Sequence, residues 1–222
     1  MKLCKMLREK DVGTTGIGAM IVFIAVVLVA GIAASVFIQT STKLESQAMT
    51  TGYKTIKEVS SGLAVFDVEG YVSGSYITNI TITVRPRAGS PDVDLNETFI
   101  ELSDTSKKMI LGYDGTLADS WYDSTAGKGV DDIFSLSCFP GAADRYGICV
   151  LEDADDSVNL TTPTLNSGDK VMLCVGTSQC FNPGVVVRTD IWGAVVPEEG
   201  SPGVISFTAP SSYGQITVFD LQ

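Results

Sequence analysis

The chain has 222 residues, a net charge of −11 and no histidine, which leaves room for a terminal helix and one domain of about 150 residues but not for two soluble domains. Its 15 basic residues are mostly isolated, so no cationic stripe follows a nucleic-acid backbone, and nucleic acid is excluded as a partner. The missing imidazole removes the ordinary general base near neutrality, no serine stands beside a base with elbow spacing, and no Gly-rich loop feeds a helix from a strand, so the composition predicts a non-enzyme.

The first residues, MKLCKMLREKDVG, carry Lys2, Lys5, Arg8 and Lys10 ahead of an uncharged run from 12 to 42. Within that run, residues 16–38 (GIGAMIVFIAVVLVAGIAASVFI) are apolar nearly throughout and long enough to cross a bilayer as a helix. The run is longer than the apolar region of a signal peptide and continues without a turn signal, so it reads as retained in the mature chain. Small residues are scattered through it, among them Gly18, Ala25, Gly31, Ala34 and Ser35, and such residues let helices approach closely where water is absent. Beyond it, Leu44, Ala48, Ile56, Val59 and Leu63 recur at helical spacing between charged residues, which predicts an amphipathic continuation. Gly52 interrupts that continuation and predicts a bend, and Ser60, Ser61 and Gly62 end it.

After Gly62 the period changes from helical to alternating. Residues 63–72 and 76–87 predict a hairpin, with Ile80, Ile82 and Val84 on the core face and Thr81, Thr83 and Arg85 on the other. Further strands are expected at 98–102, 108–113, 132–137, 146–151, 170–175, 185–196, 204–208 and 215–221, separated by turns containing Gly, Asp or Pro. In the 185–196 strand, Val185, Val186, Val187, Ile191 and Trp192 read as a central strand buried on both sides for part of its length. The expected fold class is α+β: a long N-terminal hydrophobic helix followed by an antiparallel β-sandwich or Greek-key barrel head domain.

Outside the first residues the chain holds Cys138, Cys149, Cys174 and Cys180. An even number behind an export-like segment favours two disulfides over thiols, and three pairings are possible. The local pairing, Cys138 with Cys149 and Cys174 with Cys180, is the expected one because each bond clips a short loop. A tetrahedral metal site lacks both CxxC pairs and histidine. Two acidic stretches could offer hard oxygens to a structural Ca2+: Asp153, Asp155 and Asp156, and Asp114, Asp119 and Asp123 around a Gly-containing turn. Neither matches an EF-hand, and a solvated charged loop is the plainer reading of both. Asn79, Asn96 and Asn159 open N-glycosylation sequons, and the strand alternation places the Asn79 side chain on the solvent face.

Gly13 followed by residues 14–30 (TTGIGAMIVFIAVVLVA) closely resembles the amino terminus of archaeal flagellins, also called archaellins, and residues 193–198, 202–205 and 212–214 resemble the carboxy-terminal part of that family. The resemblance implies a type IV pilin-like filament subunit. Residues 1–13 would be a leader cut between Gly13 and Thr14 by a prepilin-peptidase-like membrane protease, 14–62 the filament-core helix, and 63–222 the β-sandwich sheath domain. Polymerisation would run through Gly16, Ile17, Gly18, Ile21, Phe23, Ile24, Val27, Leu28, Gly31 and Val36. The partners implied are other copies of the chain, related filament subunits and a membrane-embedded assembly motor. The localisation implied is extracellular, after transient membrane insertion, with glycosylation at the sequons and, as in some relatives, a structural Ca2+ but no required cofactor. The chain departs from the family in one respect: Lys10-Asp11-Val12 stands where basic residues usually precede the leader glycine. The alternatives to a motility filament are a type IV-like adhesive pilin and a membrane-anchored surface-binding protein.

Overall fold

The structure is a computed structural model that describes residues 2–120, 122–123, 128–129 and 132–222, with side chains described for residues 15–115 and 132–222. The chain divides into two compact units, Met1–Lys54 and Thr55–Gln222.

Helix α1 (Lys2–Ser60) is a single helix of 59 residues, about 90 Å long at 1.5 Å per residue. It starts at Lys2, not at the expected Gly16, because Lys, Leu, Met, Arg and Glu are good helix formers that carry the turn through the leader. It also runs unbroken through Gly52. One glycine costs a helix interior about 1 kcal/mol, too little to stop a pattern that is helical on both sides. The helix ends where the serines and Gly62 were expected to end it.

The second unit is built on strands. β1 (Leu63–Ser73) and β2 (Tyr76–Pro86) form the predicted hairpin, and Gly74 at φ +67° makes the tight turn between them. A conformation of that sign favours glycine. Then follow β3 (Val93–Asp94), β4 (Phe99–Ser103), β5 (Lys108–Ser120), the short β6 (Tyr122–Asp123) and β7 (Lys128–Gly129), and a 310 turn at Ile133–Ser135. The remainder is β8 (Arg145–Glu152), β9 (Thr164–Leu165), β10 (Lys170–Val175), α2 (Thr177–Cys180), β11 (Asp190–Val196), β12 (Gly203–Thr208) and β13 (Val218–Asp220).

Nine strands make one sheet in the order β12-β11-β4-β5-β8-β10-β2-β1-β13. All its pairings are antiparallel except β5 with β8, which is parallel. The sheet curls until its ends meet. Leu63 N donates to Ser201 O, and the Gln222 side chain of the β13 end accepts from Ser206 N at 2.7 Å and donates to Val204 O at 3.2 Å on β12. This near-closure is the barrel-like head that the short alternating strands predict, and it leaves little open edge for unwanted strand pairing. Inside lie Leu63, Val68, Ile82, Val84, Ile100, Leu102, Leu111, Ile148, Leu173, Val195 and Ile205, all fully buried or nearly so.

Two expected strands differ. Residues 132–137 are not a strand: Asp132 caps the 310 turn by accepting from Phe134 N at 3.0 Å, a side-chain bond that competes with strand pairing. The strand expected over 185–196 begins only at Asp190, because Arg188 takes φ +59° and breaks the extended run. Trp192 is 48% exposed rather than buried on both sides. The outward face of β2 is also not solvent: Thr81 is 1% exposed, and its hydroxyl has no hydrogen-bond partner among the described residues. Thr81 and Thr83 stand opposite Cys174 and Met172 of β10. A second small core of Cys138, Cys149, Met172 and Cys174 lies there, packed by Ile133, Leu136 and Phe139.

Candidate functional site

Every described residue of α1 from Thr15 to Ile56 is exposed. The expected polymerisation residues are all presented outward, with Phe23 70% and Leu28 62% exposed. Beyond the neighbouring backbone of the helix itself, Gly16, Gly18 and Gly31 have no atom within 4 Å of where a side chain would start, so another backbone can approach them closely. A helix that is apolar all round needs either lipid or other protein around it. Each large apolar side chain it withdraws from water contributes about 1.5–3 kcal/mol. The polar stretch that follows keeps its hydroxyls satisfied within the helix: Thr40, Thr42 and Thr50 donate to the carbonyls of Val36, Ile38 and Ser46 at 2.9, 2.7 and 2.8 Å. Such bonds need no water, so these residues tolerate burial in a helix bundle. Gly13 and Thr14 lie within the helical backbone of α1, and their side chains are outside the described residues.

The last turn of α1 is rooted in the head. Lys57 pairs with Glu199, and Ser201 N donates to Ser61 O at 2.9 Å. Gly62 and Gly200 have φ of +139° and +97°. A methyl group on Gly200 would stand 2.3 Å from Ser61 O, so only glycine fits the crossing. Residues 198–203 therefore clasp the point where helix becomes head, a role that the sequence reading of this segment missed. The only local signal was its two glycines.

Of the acidic candidates, Asp153 and Asp155 come together, and they are joined by Asp169, which the sequence reading did not include. One carboxylate oxygen of each lies within 4.8 Å of the others. Asp169 is 3% exposed and accepts from Asn166 N at 2.8 Å and Ser157 Oγ at 3.2 Å. Asp153 accepts from Val158 N at 2.9 Å. The Asn166 amide, 2.7 Å away, and the Ser157 donors hold Asp155 below the usual carboxylate range. The three converging carboxylates offer hard oxygens of the kind Ca2+ takes, while the Asn166 amide turns its NH2 toward Asp155. Asp156 sits at φ +57° in the exposed turn, and Asp114 on β5 is not part of the group. The side chains of Asp119 and Asp123 are outside the described residues.

Of the two expected cysteine pairs, Cys138 and Cys149 lie in one small core, whereas Cys174 and Cys180 are kept apart. Cys138, Cys149, Cys174 and Cys180 are all buried. Cys174 and Cys180 are on different sides of the sheet: Cys174 is in the small outer core and Cys180 in the main one. The sulfurs of Cys174 and Cys138 are 2.9 Å apart. Strand direction is the reason, since β10 points Cys174 away from the core while α2 folds Cys180 back into it. Cys180 lies 3.3 Å from Ala143 O, and burial pushes its thiol up to about 11.

The sequons also separate. Asn79 is half-buried and its Thr81 fully buried, so the expected solvent-facing placement of Asn79 holds only in part. Asn96 is exposed but its Thr98 is buried. Asn159, Leu160 and Thr161 are all exposed, and Asn159 Oδ1 accepts from Thr161 N and Thr162 N at 3.1 and 2.9 Å.

A family model, archaeal-type flagellin, matches residues 13–207. The chain is 41% identical to Flagellin B2 of Methanocaldococcus jannaschii, over 96% of this chain and 95% of that one. It is 38% identical to Flagellin B3 of Thermococcus kodakarensis, over 96% and 98%. Among solved structures it is similar to the crystal structure of archaeal flagellin FlaB1 from Methanocaldococcus jannaschii, with a TM-score of 0.62 and 32% identity over 73% of this chain and 97% of that one. It shares the fold of the archaeal flagellum of Methanospirillum hungatei, with a TM-score of 0.61 and 16% identity over 93% and 98%. An outward-facing apolar helix joined to a curled β head, matched along nearly its whole length by these relatives, places the chain in the archaeal-type flagellin family.

Proposed function

We propose that the chain is the structural subunit of an extracellular archaeal flagellum filament, serving swimming motility and carrying out no catalytic step. The observation that carries this reading is α1: in a flagellin, a helix apolar on every side over residues 16–38 and exposed throughout from Thr15 to Ile56 must find its partners in other molecules. Before assembly the lipid bilayer covers it; afterwards copies of the same helix do. A contact between different faces of identical subunits generates a helical filament when its rotation does not close into a ring. Related subunits with the same helix can join the same lattice.

In this reading, residues 1–13 are removed between Gly13 and Thr14 by a prepilin-peptidase-like protease, and a membrane-embedded motor assembles and turns the filament. The family match beginning at Gly13 supports this leader boundary, and the four basic residues ahead of it suit a cytoplasmic leader. The head forms the sheath. The Asp153, Asp155 and Asp169 group holds a structural Ca2+, and Asn159, in the one sequon exposed throughout among the three, carries a glycan.

Negative-stain electron microscopy of cells with and without the gene, paired with a swimming assay, tests the function. Deletion should remove filaments and swimming together. Filaments that survive deletion, or swimming that persists without them, would overturn the reading. Mass spectrometry of purified filaments should find a mature amino terminus of TTGIGAMIV and a glycopeptide at Asn159.

A further inference from the structure

The outer face of the head carries a thiol cluster that filament assembly by α1 does not use. Residues 133–139 fold over the outward face of β8 and β10, and Cys138 meets Cys174 beneath them. The β8/β10 register sets Cys149 opposite Met172 and Cys174 opposite Gly147, so Cys149 and Cys174 emerge on one face as diagonal neighbours. Cys138 descends onto that pair, and its sulfur is 2.9 Å from Cys174 Sγ. Both are completely buried. A thiol pair this close, buried together and exported from the cell, is positioned for oxidation.

We propose that Cys138 and Cys174 form a disulfide that staples the 133–139 cover to β10. The proposal rests on the extracellular location given above. Each cysteine loses its proton, the two sulfurs bond, and the two electrons and two protons pass to the disulfide of an exported thiol–disulfide exchange carrier, which is reduced to two thiols. The Cys174 thiolate attacks the carrier disulfide, and Cys138 then displaces the carrier from Cys174. Because both sulfurs are sealed from water in the folded head, exchange takes place as the cover docks, and the finished bond resists external reductant. The bond spans 36 residues of chain, and so restricts the unfolded state more than either local pairing would.

Filaments isolated without reductant, unfolded in alkylating reagent and digested with trypsin give a direct readout. The proposal expects one cross-linked species joining peptide 129–145 to peptide 171–188, with fragmentation placing the bond at Cys174. A bond between 129–145 and 146–170, a loop bond between Cys174 and Cys180, or alkylation of all four would overturn it. In the full chain, reduction during unfolding should lower the melting temperature by about 5 to 15 °C. The Cys138→Ser/Cys174→Ser variant should show no such shift, whereas Cys180→Ser should keep it. Should the double variant fail to fold, the peptide map of the unaltered filament still decides. A negative map leaves the filament itself intact, so the two readings fail separately.

Discussion

Tyr146 is fully buried, with its hydroxyl 2.8 Å from Leu95 O and 3.0 Å from Thr98 O. It ties β8 to the loop before β4, and burial holds its phenol protonated. Tyr146→Phe removes the one O–H that the two carbonyls share in a dry core, while Leu95 O keeps Thr98 N at 3.3 Å, so denaturant unfolding should show a loss of about 1–2 kcal/mol. Glu69 on β1 is unfavourably placed: burial first, then the charges of Asp67 and Asp220, raise its pKa above the ordinary 4.5. The folded state therefore holds this proton more tightly than the unfolded chain does. The ionised carboxylate costs stability above its folded pKa, and that cost fades as pH falls toward the ordinary value. Calorimetry should show Glu69→Gln melting higher than the parent at pH 7, with the gain gone once the pH is below the ordinary glutamate range. Neither residue was legible beforehand. Tyr146 reads as one more alternating strand residue, and the neighbours that disturb Glu69 include Asp220 at the far end of the chain.

Among the elements, α1 was the most legible, because an uninterrupted apolar run dictates its own conformation whatever surrounds it. A charge in that run has nowhere to go in lipid or in a helix core. Leu28→Asp should abolish filaments in electron micrographs, at a cost of about 2.5–3.5 kcal/mol per subunit in the membrane-inserted state, while circular dichroism still shows the β head. The root of the helix was less legible. Gly200 combines φ +97° with a carbonyl 2.3 Å from any added methyl, so Gly200→Ala should destabilise the full chain by about 1–3 kcal/mol in thermal melts. The strands show the same division. β10 lies where alternation put it, at Lys170–Val175. The strand expected over 132–137 yielded to a cap formed by Asp132, and the one over 185–196 lost its first half to the turn at Arg188. In both, a specific local bond or dihedral outweighed a weak periodic preference.

At the scale of the whole molecule, the acidic loop joins segments from both sides of β9, and closing it around a cation would lock them together. A ligand that binds only the folded state raises stability. The full chain should thus melt lower in chelator than in Ca2+, and Asp169→Asn should remove the difference. That site was half legible: Asp153 and Asp155 stand close together in sequence, but Asp169 arrives by way of the turn before β10. The sequence by itself determined the apolar assembly helix, the first hairpin, several of the strands and the likeness to flagellins, because each of these is written in residues close together along the chain. The tertiary structure alone decided which face of β2 is dry, that Cys138 meets Cys174, that Asp169 completes the acidic group, and why glycine stands at 200. Each of these depends on a strand register or a crossing between distant segments, and the period of a short stretch records which face a residue takes, not what the rest of the fold brings against it.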